Sequence, residues 1–363
     1  MSENTGLDLA GVLESHRGER HVVILHEYPD PDAIASALAH RLISTAYDID
    51  VDILFSGAIS HQENIALVRL LDIDLIEFDD AIGLEPYQAA ILVDHQGTTV
   101  GRIMSALEAA NVPVLLVVDH HEAQDQLEPE FSEIRKAGST STIYAQYLQQ
   151  GIVEMDKAQN EHVSVATALL HGILTDTTGF IRASEEDFQA AAFLSRFRDA
   201  EILGYIMKQA RSKQAMDIIR RALEHRVSVE SFSIAGIGYL RGEDRDAISE
   251  AADFLLTEDN VHTAIVYGIA ARDEEEETLV GSLRTAKLTL DPDRFIKEVF
   301  GKGPDGRPLG GGKPEAGGFA IPVGFLSGDH GQDFRDLKWQ VYDAQIMHKI
   351  FDKIGVEDEK VGE

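Results

Sequence analysis

Short, continuous apolar runs recur through the first third of the chain, separated by stretches of helical periodicity. His21-Val22-Val23-Ile24-Leu25, Val51-Asp52-Ile53-Leu54-Phe55, Leu75-Ile76-Glu77-Phe78, Ala89-Ala90-Ile91-Leu92-Val93 and Val114-Leu115-Leu116-Val117-Val118 have the length of strands. Between them, 32–46 carries Ile34, Leu38, Leu42 and Ile43 on one helical face, and 64–71 and 102–110 also read as helices. Unalternating strands separated by helices predict a parallel sheet covered on both sides. From Gly138 the pattern turns helical, over 139–150, 163–175 and 185–197.

The segment 199–226 is helical, rich in charge and free of strand signals, so it reads as a connection. Beyond it, 231–240 is a strand and 246–256 a helix. Strands at 263–269 and 278–285 follow, then a helix at 292–300, a Gly-rich loop, a strand at 319–322 and a tail helix at 335–354. The fold class expected is α/β. An N-terminal parallel-sheet domain spans 1–198, a helical linker 199–228, and a smaller α/β domain 229–363. A length of 363 residues agrees with two domains at about 150 residues each. The run Asp273-Glu274-Glu275-Glu276-Glu277 reads as a solvated turn.

Composition narrows the function. The chain has 32 Lys+Arg against 63 Asp+Glu, a formal charge of −31, which argues against a broad basic surface for long nucleic acid. Any anion site must be a local pocket, and the field draws in divalent cations. Cysteine is absent, which excludes disulfides, thiolate metal sites and cysteine nucleophiles. The start, Met1-Ser2-Glu3-Asn4-Thr5, lacks a signal-peptide pattern, and no apolar run reaches the ~18–20 residues of a membrane span. A soluble, cytoplasmic protein with no membrane partner is expected.

Ligands of open parallel sheets sit beyond the carboxyl ends of the strands. After the first strand comes His26-Glu27-Tyr28-Pro29-Asp30-Pro31-Asp32, after the fourth Asp94-His95, and after the fifth Asp119-His120-His121. Asp176 stands late in a helix that should run toward the same edge. Alone, each has a plain alternative: an Asp after a strand is usually a helix cap, and a His before a turn is usually structural. Together, His26, Asp30, Asp32, Asp94, His120 and Asp176 put four carboxylates at one rim, which needs neutralising. They suffice for two divalent cations if one Asp bridges. Imidazole and carboxylate without thiolate suit Mn²⁺, with Mg²⁺ or Co²⁺ as substitutes. Such a pair of ions activates a bridging hydroxide and clamps phosphoryl oxygens for in-line displacement.

At these residues the sequence resembles the DHH phosphoesterases with a C-terminal DHHA1 domain. The match rests on His26-x-x-Pro29-Asp30-x-Asp32, Asp94, Asp119-His120-His121 and Asp176. It continues in Gly281-Ser282-Leu283-Arg284-Thr285 and Gly310-Gly311-Gly312-Lys313-Pro314-Glu315-Ala316-Gly317-Gly318, so it spans roughly 20–325. The resemblance implies that His26 and Asp30 bind one metal and Asp32 and His120 the other. Asp94 bridges and Asp176 completes the site, which lies in the cleft between the domains. Asp119 would orient His120, and His121 would contact the scissile phosphate, or else be a supporting structural imidazole. Arg284 would grip a substrate phosphate, with Gly311, Gly312 and Lys313 forming an anion nest. Lys313 stands where the family usually has His, and Tyr28, read as a packing residue, where Asn is common. His95 and His171 are read as structural.

The function implied is a Mn²⁺-dependent phosphodiesterase or phosphatase with two ions per chain. Its substrates would be short oligonucleotides, linear dinucleotides or 3′-phosphoadenosine 5′-phosphate, as an oligoribonuclease-type nuclease. Long duplexes are disfavoured. Exopolyphosphatase or pyrophosphatase chemistry is the alternative, and a catalytically silent nucleotide-binding regulator is the reading from another class. The tail helix offers Trp339, Val341, Ile346 and Ile350 either to a homodimer or as a cap on the second domain.

Overall fold

The computed structural model describes residues 5–59, 61–124, 127–209, 211–273, 276–304, 306–328 and 331–356. The chain divides into two units, Met1–Gln209 and Ala210–Glu363. The first begins with α1 (Thr5–Ser15), β1 (Arg20–Ile24), α2 (Pro31–Thr45), β2 (Asp50–Phe55), α3 (Gln62–Leu70) and β3 (Ile76–Glu77). Then come β4 (Ala89–Val93), α4 (Gly101–Ala109), β5 (Val114–Asp119), β6 (Phe131–Ile134), α5 (Thr140–Gln149), α6 (Asn160–Asp176), α7 (Glu185–Leu194) and α8 (Ala200–Met207). The six strands pair in the order β3-β2-β1-β4-β5-β6, all parallel. The strand order reverses between β1 and β4, and such a switch point opens a crevice at the carboxyl ends of those strands.

Side-chain alternation gives the sheet two covered faces. Val23 and Leu25 of the β1 run pack with α2, α5 and α6, while Val22 and Ile24 pack with Ile103 and Leu107 of α4. Helix α2 starts on Asp30, whose carboxylate accepts from the Ala33 amide at 3.0 Å, with Pro31 in the first turn. Its body of Ala33, Ala35, Ala37 and Ala39 between Ile34, Leu38, Leu42 and Ile43 is buried almost all round, as befits a helix inside a core. The small alanines let α6 pack closely on α2, and the last residue of α6, Asp176, comes to lie beside His120 at the carboxyl edge of the sheet.

The second unit runs α9 (Lys213–His225), β7 (Arg226–Val229), β8 (Phe232–Arg241), α10 (Asp246–Leu255), β9 (Thr263–Asp273) and β10 (Glu276–Thr285). It ends with α11 (Pro292–Phe300), β11 (Gly310–Lys313), β12 (Ala316–Pro322) and α12 (Gln332–Ile354). Its sheet, ordered β11-β12-β10-β9-β8-β7, is mixed: β8 and β9 are parallel and the other pairs antiparallel. Ile218, Ile219, Ile248 and Leu255 of α9 and α10 cover one face, and Phe295, Ile296, Ile346 and Ile350 of α11 and α12 the other.

The α/β class and the parallel first sheet are as expected, but several elements differ. The segment 199–228 is no single linker, because α8 belongs to the first unit while α9 and β7 belong to the second. Strand β6 escaped the hydrophobic pattern because its inward residue Glu133 is charged; it is buried, accepting from Tyr147 and Arg135. The Gly-rich stretch is not a loop: Gly310–Lys313 is a strand, paired in register with β12, which begins at Ala316. In the acidic run 273–277, Glu274 and Glu275 lie outside the described residues. Glu277 is not solvated but buried, bound to Lys338 of α12 at 2.6 Å. Among the described residues, no helix is long and apolar enough to cross a membrane.

Candidate active site

Three strand ends and two helix ends of the first unit deliver acids and imidazoles to one rim. β1 runs out into His26, β4 into Asp94, and β5 into Asp119, His120 and His121; α2 begins at Asp30 and Asp32, and α6 ends on Asp176. His26 Nε2 stands 3.9 Å from Asp30 Oδ1 and 3.8 Å from Asp94 Oδ2. His120 Nε2 stands 3.5 Å from Asp94 Oδ1 and 3.3 Å from Asp176 Oδ2. The ligand atoms of His26, Asp30 and Asp94 form one tight group, and those of Asp32, His120 and Asp176 a second; Asp94 also groups with His120 and His121. All six sequence-nominated ligands therefore converge. Asp94 lies where the two groups meet, at a φ of 64°, a left-handed conformation that is strained for a residue with a side chain.

A segment that sequence reasoning passed over holds this rim. The amides of Thr140 and Ser141, at the start of α5, donate to the two oxygens of Asp32 at 2.7 Å each. Thr140 Oγ1 donates to Asp94 at 2.9 Å, and the Ala137 carbonyl accepts from His120 Nδ1 at 3.2 Å. Residues 137–141 thus touch three of the candidate ligands. The segment is itself clamped by Asp187 of α7, fully buried, which accepts from Gly138 N at 3.1 Å, Thr142 Oγ1 at 2.6 Å and Ser184 N at 2.7 Å. Only glycine fits at 138, since a Cβ there would come within 2.3 Å of the Asp187 carboxylate. The signal was the run Gly138-Ser139-Thr140-Ser141-Thr142, in which Ser139 caps α5; hydroxyls and free amides at a helix start suit an anion.

The electrostatics call for a cation. Burial, then the nearby Asp176 and Asp30, push Asp32 up to about 7. Burial and the facing carboxylates raise Asp94 well above its ordinary range. Burial works against protonation of His120, but Asp176 and Asp32 outweigh it and push the imidazole up to about 9. Its Nδ1 is engaged by Ala137, while Nε2 is buried and completes no hydrogen bond with the carboxylates it faces. A buried imidazole nitrogen, protonated in the metal-free state and ringed by acids that resist ionisation, fits a divalent ion in the proton's place.

Asp119 holds His121, not His120. Its Oδ1 accepts from His121 Nδ1 at 2.8 Å and its Oδ2 from Gln96 Nε2 at 2.8 Å. At a strand end residues i and i+2 share a side while i+1 points away, so His120 turns to Ala137 instead. Burial opposes ionisation of Asp119, but the bonds from His121 and Gln96 prevail and hold it down to about 2. His95 is buried outside the ligand groups, donating to Ile24 O at 2.9 Å and accepting from Gly97 N at 3.0 Å. His171 is likewise buried and away from them. Tyr28, expected to pack, is 38% exposed and lines a cavity of about 760 Å³ beside the rim. His26, Asp30, Asp94 and His121 of the rim line it too, with Gln96, Thr98, Thr99, Gln124, Glu27 and Glu122, and among the described residues no Lys or Arg does.

The second unit has a cavity of about 460 Å³ of opposite character, lined by Arg245, Arg284, Lys313, Gly311 and Gly312. Arg284 Nε donates to Asp253 at 2.9 Å and Nη1 to Ser282 Oγ at 2.8 Å, so its fork is partly engaged before any ligand arrives. Lys313 is exposed, at the turn between β11 and β12. Arg245, at the start of α10, was not nominated from sequence.

Residues 20–173 match the DHH family, N-terminal domain. An uncharacterised protein of Methanocaldococcus jannaschii is 32% identical over 342 residues, 93% of this chain; the chain spans 65% of that relative's length. A probable manganese-dependent inorganic pyrophosphatase of Listeria monocytogenes is 26% identical over 242 residues, 64% of this chain and 74% of that protein. Among solved structures, an exopolyphosphatase-related protein from Bacteroides fragilis aligns with a TM-score of 0.66 at 14% identity, covering 96% of this chain and 100% of that one. The last likeness is one of fold.

Proposed function

We propose that this chain, with a DHH family N-terminal domain over residues 20–173, is a divalent-metal phosphohydrolase that cleaves phosphate esters of small nucleotidic substrates. The reading is carried by the two imidazole–carboxylate groups that meet at Asp94. His26, Asp30 and Asp94 would hold one ion, and Asp32, His120 and Asp176 the other. A mixed nitrogen and oxygen donor set suits Mn²⁺, the metal in the description of the Listeria relative. When bound, the ions would lower the pKa of the attacking water and neutralise the phosphoryl oxygens. Asp119, held ionised, engages Nδ1 of His121, so the ring's Nε2 is left to meet a phosphoryl oxygen.

The cavity beside the rim favours an ester over an anhydride. Beyond the candidate ligands, Asp119 and His121, its lining is mainly Tyr28 and uncharged polar side chains with Glu27 and Glu122, and among the described residues no Lys or Arg, which suits a sugar or base better than a second phosphate. Short oligonucleotides, linear dinucleotides and 3′-phosphoadenosine 5′-phosphate meet that description. Arg284 and Lys313 would add grip on a further phosphate. The test is Mn²⁺-dependent turnover of a dinucleotide, 3′-phosphoadenosine 5′-phosphate, pyrophosphate and polyphosphate. Esters are expected to lead; pyrophosphate or polyphosphate turning over as fast would overturn the ester reading. Asp30→Ala and the triple alanine variant of Asp119-His120-His121 should be folded and inactive. Fewer than one divalent ion per chain after Mn²⁺ loading would point to a silent regulator.

A further inference from the structure

The opposite end of the first sheet carries a second cluster of ligating side chains. His16 follows α1, Glu19 precedes β1, and His21 is the second residue of that strand. Glu19 Oε2 receives His16 Nδ1 at 2.9 Å and His21 Nε2 at 3.0 Å, and the three ligand atoms lie within 4.8 Å of one another. We propose that His16, Glu19 and His21 form a divalent-cation site of the zinc class, separate from the rim that Asp94 joins.

The chemistry of the donors sets the class. The rim is dominated by carboxylates, whereas this cluster offers two imidazoles to one carboxylate, a set that zinc takes with a water in the remaining position. Ligand atoms around a tetrahedral zinc, with bonds of ~2.0–2.1 Å, stand ~3.3 Å apart. The two His–Glu edges therefore need to open by only a few tenths of an ångström when the metal replaces the shared protons.

The surroundings are those of a ligand set. The other nitrogen of His16, Nε2, lies 3.3 Å from a carboxylate oxygen of Glu130, which precedes β6. A ligating imidazole typically donates its far N–H to such a carboxylate, which fixes the ring and raises its basicity. His21 is fully buried, so its ring is held by packing, and the His16 side chain keeps 22% exposure, which leaves a way in for an ion. Helix α1 ends at Ser15, and the negative end of its dipole favours a cation beside His16. Glu19 and Glu130 bring two negative charges, which one divalent ion balances. A bound ion would tie the end of α1 to the start of β1, and through Glu130 to β6.

The test is titration of Zn²⁺ and Co²⁺ into the metal-free full chain, with equivalents counted and the visible absorption of Co²⁺ followed. Asp94→Asn should retain one tight Zn²⁺ equivalent and an intense, tetrahedral-type Co²⁺ spectrum. His16→Gln and the isosteric Glu19→Gln should lose that equivalent and that spectrum, yet take up Mn²⁺ at the rim as the parent does, which also reports that they are folded. Glu130→Gln should weaken Zn²⁺ by about tenfold, the effect of losing a partner behind a ligand. If Glu19→Gln binds as many Zn²⁺ equivalents as the parent with the same Co²⁺ spectrum, or if Asp94→Asn binds none, the site does not exist.

Discussion

The rim of the first unit and the glycine-walled cavity of the second differ in sign and in what holds them. At the rim, Asp32, Asp94 and His120 are fixed by the backbone and hydroxyl of one short segment, itself clamped by Asp187. In the second unit, Arg284 is held by side chains that compete for its donors, and Lys313 stands exposed at a hairpin turn. A charge cluster held by backbone amides keeps its geometry when the solvent or ligand changes; a cation held by Asp253 must give up part of that partner to meet another anion. On the proposed function, the rim sets whether chemistry occurs and the second cavity sets how tightly a substrate is held.

The largest effect is expected at Asp94, which groups with His26 and Asp30 and also faces His120 of the second set. Asn keeps the volume, tolerates the positive φ and can still accept from Thr140, so Asp94→Asn removes charge alone. With Mn²⁺, kcat should fall by about 10²–10³-fold or more, the scale of losing a preorganised charge stabiliser. The metal-free variant should unfold at the parent's temperature or above, because a buried carboxylate without a counterion is lost. Full activity in this variant would mean that the rim is not where the reaction takes place.

Asp187 comes next. It touches no candidate ligand, yet it fixes the segment that orients three of them. Asp187→Asn should weaken Mn²⁺ binding by about 10- to 100-fold, measured by calorimetry, with KM for substrate little changed at saturating metal. Were the rim indifferent to this change, the rigidity assigned to it would be wrong.

These two residues also mark how far the sequence could be read. Five of the first sheet's six strands were legible because their runs are largely apolar, as in Val114–Val118, and the ligands were legible because each follows such a run or stands at a helix end. Asp187 was not, because its partners Gly138 and Thr142 lie 49 and 45 positions away and nothing local distinguishes it from an ordinary helix-start acid. Strand β6 hid behind Glu133, whose burial depends on Tyr147 and Arg135. Strand β11 hid because glycine has no strand preference of its own: pairing with β12 makes it a strand, and the close approach requires glycine, a Cβ on Gly312 meeting the Ala316 carbonyl at 2.7 Å. The Asp119–His121 pair depends on which way each side chain leaves the strand end.

Proton competition gives a third test, one that the rim should show and the second cavity should not. In the metal-free state His120 is raised to about 9 and Asp32 to about 7, so a metal must displace a proton from the imidazole at neutral pH and from the carboxyl below it. Protons released on binding make affinity rise with pH. Mn²⁺ affinity should climb about tenfold per unit from pH 7 to 9, and more steeply below 7. A flat profile across that range would mean the rim binds no metal through these groups.

The smallest effects belong to the second cavity. Arg284→Ala should raise KM about tenfold, the worth of one charge-assisted contact, with kcat and metal uptake unchanged. The cost is held down because the guanidinium already divides its donors between Asp253 and Ser282, so the free protein loses bonds too. Lys313→Ala should cost about threefold or less, since an exposed, flexible ammonium pays entropy for any ion pair it makes. If either change lowered kcat as far as Asp94→Asn does, the second cavity would be part of the reacting centre, and the division between chemistry and grip would fail. If neither moved KM, the phosphate grip would have to lie elsewhere, with Arg245, at the start of α10, the next residue to substitute.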